Sequence, residues 1–435
     1  MMNWRLMTLA GVTATTCVLT KLDAAQFRLP PSPPLPTIPH RSFNVIKFGA
    51  DPAGTTPATA SVRRAINACH RAGGGIIYFP KGKFLCGPML LPNHTELHLA
   101  KGALLKMLPL SQYPCVHGRY QDFIRASNQH DIAITGRGTI TGQGARWWTL
   151  YRRRPNGSVP HLPHRPQMIA MNDVVRLLIQ GVRLQNPANT HISLQNACRD
   201  VTIENVVIHT PRQSPNTDGM DISGHDILIS HCRISDGDDC IAIGGGGRDL
   251  PNQFESQDIV IRHCAFGYGH GMSIGSFTRG GIRDVWVVDC TFDHTTAGIR
   301  LKSSSGRGGL VENLVYQNIR MRYARWPIFI SSYYPHAPQR SWRMAPVPYT
   351  RTTPIWRNIR IINLTSTHSP VAGRIIGLPG LPVQNVLLRN VHIFARTGML
   401  IADAKAIRFE KSKIHVKNGP ALIIHAAHVT GRDVH

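Results

Sequence analysis

The chain has 435 residues, with 49 Lys+Arg against 24 Asp+Glu and a formal net charge of +25. A surface of that sign favours polyanionic partners: nucleic acid, an anionic membrane or an acidic polysaccharide. The chain has no run of four basic residues, zinc-finger spacing, basic zipper or stacked-aromatic RNA motif, which argues against nucleic acid.

In chain order, Arg5 precedes an apolar stretch over residues 6–20, and Ala24 and Ala25 supply small residues for cleavage. Residues 1–25 therefore read as a signal peptide, which implies a secreted or periplasmic protein. No later stretch is apolar and long enough to span a membrane once that leader is removed. Residues 26–42 form a Pro-rich linker (LPPSPPLPTIPH), and residues 43–435 are expected to be a single domain. Residues 58–72 (ATASVRRAINACHRA) predict an amphipathic helix, placed to cap the entry strands in GGGIIYFPKGKF and TELHLAKGALLKML.

From residue 130 onward a short phrase recurs, with apolar residues at its first, third, sixth and eighth positions. It begins at Leu177, Val201, Ile227, Ile259, Val285, Leu314, Ile359, Val386 and Ile407. Period-two alternation with β-branched residues predicts strands. One position between them is polar: Asn205, His231, His263, Asp289, Asn318, Asn363 and Asn390. The next is apolar or cysteine: Val206, Cys232, Cys264, Cys290, Ile319, Leu364 and Val391. A polar turn followed by a buried residue at a fixed offset is the pattern of stacked solenoid coils, each too small to bury its own apolar face. The chain is thus expected to be all-β, a parallel β-helix, with Cys232, Cys264 and Cys290 as small core residues in one column. The nine cysteines, Cys17 among them in the leader, do not have the spacing of a small disulfide framework.

Acidic residues are scarce, yet Asp218, Asp238 and Asp239 fall in two Gly-flanked stretches, SPNTDGMDIS and ISDGDDCIAIG. Asp238 and His270 each lie 11 residues after a phrase start, and Asp218 and Lys302 each lie 17 after one. If phrase starts are equivalent points, these residues share one wall of four coils, within roughly 15 Å at the usual strand spacing. Neighbouring carboxylates raise the pKa of at least one of them, giving the acid and base that glycoside hydrolysis needs. Arg300 and Lys302 alternate with Leu301, so both face one side of a strand and suit a substrate carboxylate. Each feature has an ordinary reading: NTDG and DG as turns, the aspartates as calcium ligands, His270 as structural, Arg-x-Lys as a solvated face. Their conjunction in chain order outweighs those readings.

At these residues the chain resembles glycoside hydrolase family 28, the polygalacturonases. The four family signatures stand as Asn216-Thr217-Asp218, Gly237-Asp238-Asp239, Gly269-His270-Gly271 and Arg300-Leu301-Lys302, the last with Leu in place of Ile. The resemblance implies a right-handed parallel β-helix acting on pectate by inverting hydrolysis of α-1,4 bonds between galacturonic acid residues. It implies Asp238 as general acid and Asp218 and Asp239 as the carboxylates that activate water. By the same resemblance His270 tunes the acid, Asn216, Arg300 and Lys302 bind substrate, and Tyr334 (or Tyr333) matches a family tyrosine. It implies no metal, no cofactor, no nucleic-acid partner and a monomer that works on plant cell-wall pectin. The alternatives are a hydrolase of substituted pectin (rhamnogalacturonan or xylogalacturonan), a calcium-dependent pectate lyase and a non-catalytic polysaccharide-binding β-helix.

Overall fold

The computed structural model describes residues 29–152, 164–246, 254–336, 338 and 340–431. The leader over residues 1–25 lies outside the described residues, as does Cys17. The described residues from Ser32 onward form one compact unit. The Pro-rich stretch has no regular structure as far as Arg41, but Thr37 donates its amide to Asp131 Oδ1 at 2.8 Å. The first strand, Ser42–Asn44, pairs in parallel with Gly75–Phe79.

The phrase repeat is the register of a parallel β-helix. Its starts pair coil to coil, Leu177 with Val201, Val201 with Ile227, Ile227 with Ile259, and onward through Val285, Leu314, Ile359 and Val386. Its ends pair likewise, Leu184, Ile208, Ile234, Phe266, Phe292 and Met321 in succession. A third, shorter strand completes each coil, in the column Ile192–Gln195, Met220–Ile222, Ile241–Ile243, Met272–Ile274, Ala297–Lys302 and Trp326–Ser331. Each apolar column runs along the axis, and every phrase start is at most 1% exposed. Burying one such side chain contributes about 1.5–3 kcal/mol, and no single coil could collect that without its neighbours.

The polar column sits where the backbone turns left-handed, at φ between 54° and 56° for Asn205, His231, His263, Asp289, Asn318, Asn363 and Asn390. Asn, Asp and His tolerate that conformation better than other non-glycine residues. The side chains also form a ladder: Asn318 donates to Asp289, Asn363 to Asn318 and Asn390 to Asn363, at 2.9 to 3.0 Å. A second ladder, through Asp284, Asn313, Asn358 and Asn385, was not singled out from the sequence. Cys232, Cys264 and Cys290 are buried and free, as their column requires.

The capping helix spans Thr59–Arg71. Val62, Ala65, Ile66 and Cys69 are buried beneath it while Arg63, Arg64 and Arg71 face out, the i, i+3, i+4 stripe of an amphipathic helix. A second short helix, Ala145–Arg152, had no clear sequence signal.

Candidate active site

The third strand column carries the acidic residues. Thr217 shapes the first stretch: its hydroxyl lies 2.6 Å from that of Ser214 and accepts the amide of Gly237 in the next coil at 3.1 Å. Gly237 packs so closely there that a Cβ would fall 1.9 Å from the Ser214 carbonyl. Gly271, at φ 80°, lets the chain leave His270 where a Cβ would fall 1.9 Å from the Ala297 carbonyl. Glycine is thus dictated by close backbone contact in both stretches.

Strand pairing aligns Met220, Ile241, Met272 and Ile299. Asp218, Asp239 and His270 each lie two residues before these points and so occupy equivalent places on adjacent coils. Lys302 lies three residues after Ile299, further along its strand. The equal offset of Asp218 and Lys302 from their phrase starts is therefore not a structural equivalence. The turns between the first strand and the third differ in length from coil to coil, so counting from the first strand drifts. The residues still meet on one wall, because three coil steps span about 15 Å.

Asp239, 3% exposed, is the hub. Ser273 Oγ donates to its Oδ1 at 2.8 Å, Arg300 Nη1 pairs with the same oxygen, and Lys302 Nζ reaches Oδ2 at 2.5 Å. His270 Nδ1 lies 3.1 Å from Asp238 Oδ1 and 3.5 Å from Asp239 Oδ1, an ion pair rather than an aligned hydrogen bond. Asn216 Nδ2 reaches Asp238 Oδ2 at 3.3 Å, and buried Arg165 holds the Asn216 carbonyl oxygen at 3.0 Å. Tyr334 stands beside the cations, its ring centroid 5.2 Å from Lys302 Nζ. All eight residues expected at the site fall on this wall.

Two further carboxylates stand beside the three expected. Asp221 is paired across the sheet with Ser193 and Ala242 and accepts from Thr190 Oγ1 at 2.9 Å. Asp236 is fully buried; its Oδ1 accepts the Asp238 amide at 3.0 Å, and its Oδ2 has no partner among the described residues. Both lie inside the two stretches quoted above, but the sequence alone did not separate them from turn residues. The exposed-looking DG and GMD contexts give no sign of burial.

The electrostatics divide the carboxylates. Burial works against charge on Asp239, but Lys302, Arg300 and His270 outweigh it and hold its carboxyl well below the usual range. Burial, then Asp221, Asp238 and Asp239, pushes Asp218 well above it. Burial and the same neighbours raise Asp221 to about 7 and Asp236 well above its ordinary value. Burial opposes protonation of His270, yet Asp238 and Asp239 bring it up to about 9. The wall therefore holds a carboxylate kept ionised by cations next to carboxyls whose pKa values are raised, a contrast suited to general acid–base work.

Among the described residues, two groups have donor atoms close enough for a metal ion, within 4.8 Å of one another: Asp238, Asp239 and His270, and, elsewhere, His94, His130 and Asp131. In each a guanidinium already occupies a carboxylate, Arg300 on Asp239 and Arg176 on Asp131 at 2.6 Å. Those charges make both poor cation sites.

A family model described as glycosyl hydrolases family 28 matches residues 77–411, and one described as rhamnogalacturonase A/epimerase, pectate lyase-like, matches residues 42–99. An exopolygalacturonase of Zea mays is 33% identical, covering 68% of this chain and 71% of its own. An endo-polygalacturonase of Pectobacterium carotovorum subsp. carotovorum is also 33% identical, over 65% of this chain and 73% of its own. Among solved structures, a hyperthermoactive exopolygalacturonase from Thermotoga maritima superposes with TM-score 0.69 at 25% identity, covering 92% of this chain and 94% of that one.

Proposed function

Since the chain belongs to glycosyl hydrolases family 28, we propose that it is a polygalacturonase, cutting α-1,4 bonds between galacturonic acid residues of pectate with inversion. The observation that supports this most is the nest of Arg300 and Lys302 around one ionised carboxylate, with Asp238 and His270 at its edge. Asp238 takes up the proton that His270 Nδ1 holds 3.1 Å away and passes it to the glycosidic oxygen as the C1–O bond breaks, leaving His270 neutral. A water attacks C1 from the opposite face, and its proton passes to Asp239, with Asp218 orienting it. Burial and neighbouring carboxylates raise the pKa of Asp218 while cations lower that of Asp239, which favours Asp239 as the base, a narrower reading than two equivalent bases.

Arg300 and Lys302 have two tasks. In the free protein they neutralise Asp239; with substrate bound they also meet a galacturonate carboxylate, Arg300 in the bidentate manner its planar fork allows. Drawing their charge toward the substrate raises the basicity of Asp239 when water must be deprotonated. Asn216 and Tyr334 border the same wall and complete the sugar contacts.

The protein is proposed to be exported by the leader over residues 1–25, to carry a single catalytic domain over residues 43–435 and to act as a monomer. Among the described residues no helix is long and apolar enough to cross a membrane.

The test is incubation with polygalacturonic acid and a chelator, following new reducing ends and unsaturated product together. Reducing ends without unsaturation are expected, with a loss in Asp238→Asn of about 10²–10⁴-fold in kcat, the usual contribution of a general acid. Unsaturated product would mean elimination and would overturn the roles of all three aspartates. No product at all would redirect the search to substituted pectins.

A further inference from the structure

The turn that leads into the third strand carries rings on successive coils. His294 and Tyr323 have centroids 4.5 Å apart, and Tyr323 and His368 4.8 Å apart, the spacing of the coils themselves. On the next two coils Phe394 and His415 lie 4.4 Å apart, parallel to within 1°. The line starts beside the catalytic wall, since Thr295 bridges to Gly269, next to His270. It ends in a groove of about 600 Å³ lined by His368, Pro370, Phe394, Arg396, His415 and Lys417.

Three features separate this groove from a ladder that merely fills the solenoid surface. Phe394 is 44% exposed, so its ring covers no core and leaves an apolar face in water. Arg396 and Lys417 are exposed, and among the described residues neither side chain makes an ion pair or a hydrogen bond. No acidic residue lines the groove. Some other surface cations do have acidic partners, as Arg322 with Asp293 and Arg357 with Glu312. Flat rings beside unpaired cations suit a ligand with apolar faces and regularly spaced negative charges. A uronic-acid chain has both: each pyranose offers a C–H face to an aromatic ring, and each carboxylate a partner for Arg or Lys. The register from Ile241 through Met272, Ile299, Ile328 and Gly373 to Met399 is five coil steps. The groove thus lies about 24 Å along the axis from the coil of Asp238.

We propose that this groove is a second, non-catalytic binding site for an acidic polysaccharide chain, holding the polymer whose other part lies on the catalytic wall. The identity of that chain as galacturonan rests on the polygalacturonase reading; the site itself does not.

The test uses the full chain carrying Asp238→Asn, so that ligand is not consumed, with and without Arg396→Ala/Lys417→Ala and, separately, Phe394→Ala. Retardation in gels containing polygalacturonic acid, or containing a neutral glucan, reports binding. Both groove variants are expected to bind polygalacturonic acid about three- to tenfold more weakly, as loss of two exposed charge contacts or one ring contact implies. The neutral glucan should retard none of them. In the active background, KM for the polymer should rise by the same factor while turnover of trigalacturonate stays unchanged. The exposed charge pair can be removed without touching the core, so Arg396→Ala/Lys417→Ala decides if Phe394→Ala fails to fold. Unchanged polymer binding in that double variant overturns the proposal and leaves the polygalacturonase reading intact. A parent that binds the polymer through the groove but never cleaves it overturns that reading and leaves this one standing.

Discussion

Asp221 and His270 lie on one wall, and folding raises the pKa of both, so stability falls as pH rises through each one's own window. The folded pKa of Asp221 is raised to about 7 by burial and by Asp239 and Asp238. The folded state therefore binds more protons than the unfolded chain between about pH 4 and 7, and stability falls as pH rises through that window. Asp221→Asn removes the titration and keeps an acceptor for Thr190. Urea unfolding should find the variant similar to the parent at pH 4 and about 1–3 kcal/mol more stable at pH 7.5; an equal difference at both pH values would refute the assignment. For His270, burial is overcome by Asp238 and Asp239, and the folded pKa rises to about 9. Its stabilisation is complete below the unfolded value near 6.5 and is lost as pH climbs through about 9. The parent should lose stability between pH 6.5 and 9.5 more steeply than His270→Gln. Parallel curves would mean that the imidazole is neutral throughout. Buried Asp221 thus lowers stability at neutral pH, the cost of a buried reactive carboxyl, while charged His270 offsets part of it.

At the scale of the strand and turn, the ladders set the register. Asn363 accepts from Asn390 and donates to Asn318 while holding φ at 55°. Asn363→Gly keeps the turn and loses both bonds; Asn363→Val loses the bonds and strains the left-handed turn by a further 1–2 kcal/mol or so. Denaturant unfolding should place Gly about 1–2 kcal/mol below the parent and Val clearly lower still. A ranking with Val above Gly would show that the column needs no left-handed backbone. This column, the phrase strands and the capping helix were all legible, because a solenoid writes its register as a period in apolar and turn residues. The four signature stretches were legible as motifs in chain order, and in Gly237-Asp238-Asp239 and Gly269-His270-Gly271 close backbone contact forces a glycine. The second ladder, Asp284 to Asn385, escaped although it stands one residue before each phrase start, because a polar residue ahead of a strand reads as an ordinary strand boundary. Asp221 and Asp236 escaped for another reason: nothing local marks a carboxylate as buried when neighbouring coils supply the burial. Arg165, which holds Asn216 from 51 residues away, leaves no sequence signal at all.

For the whole molecule, the net charge of +25 and the local cations make separable predictions. A pectate chain feels the field of the whole surface over about 10 Å at 0.1 M salt, and over only about 3 Å at 1 M. On the proposed reading a short oligomer is held chiefly by Arg300 and Lys302, which lie largely buried with exposures of 15% and 6% and are screened less. Raising salt should therefore lower kcat/KM on polygalacturonic acid steeply and on trigalacturonate shallowly, with kcat nearly constant for both. The steepness counts the surface cations that the polymer displaces counter-ions to reach, by the same release that governs nucleic-acid binding. Arg396→Ala/Lys417→Ala should flatten the polymer slope without moving the oligomer slope. Equal slopes for both substrates would confine the electrostatics to the buried pair and leave the positive surface without a part in catalysis.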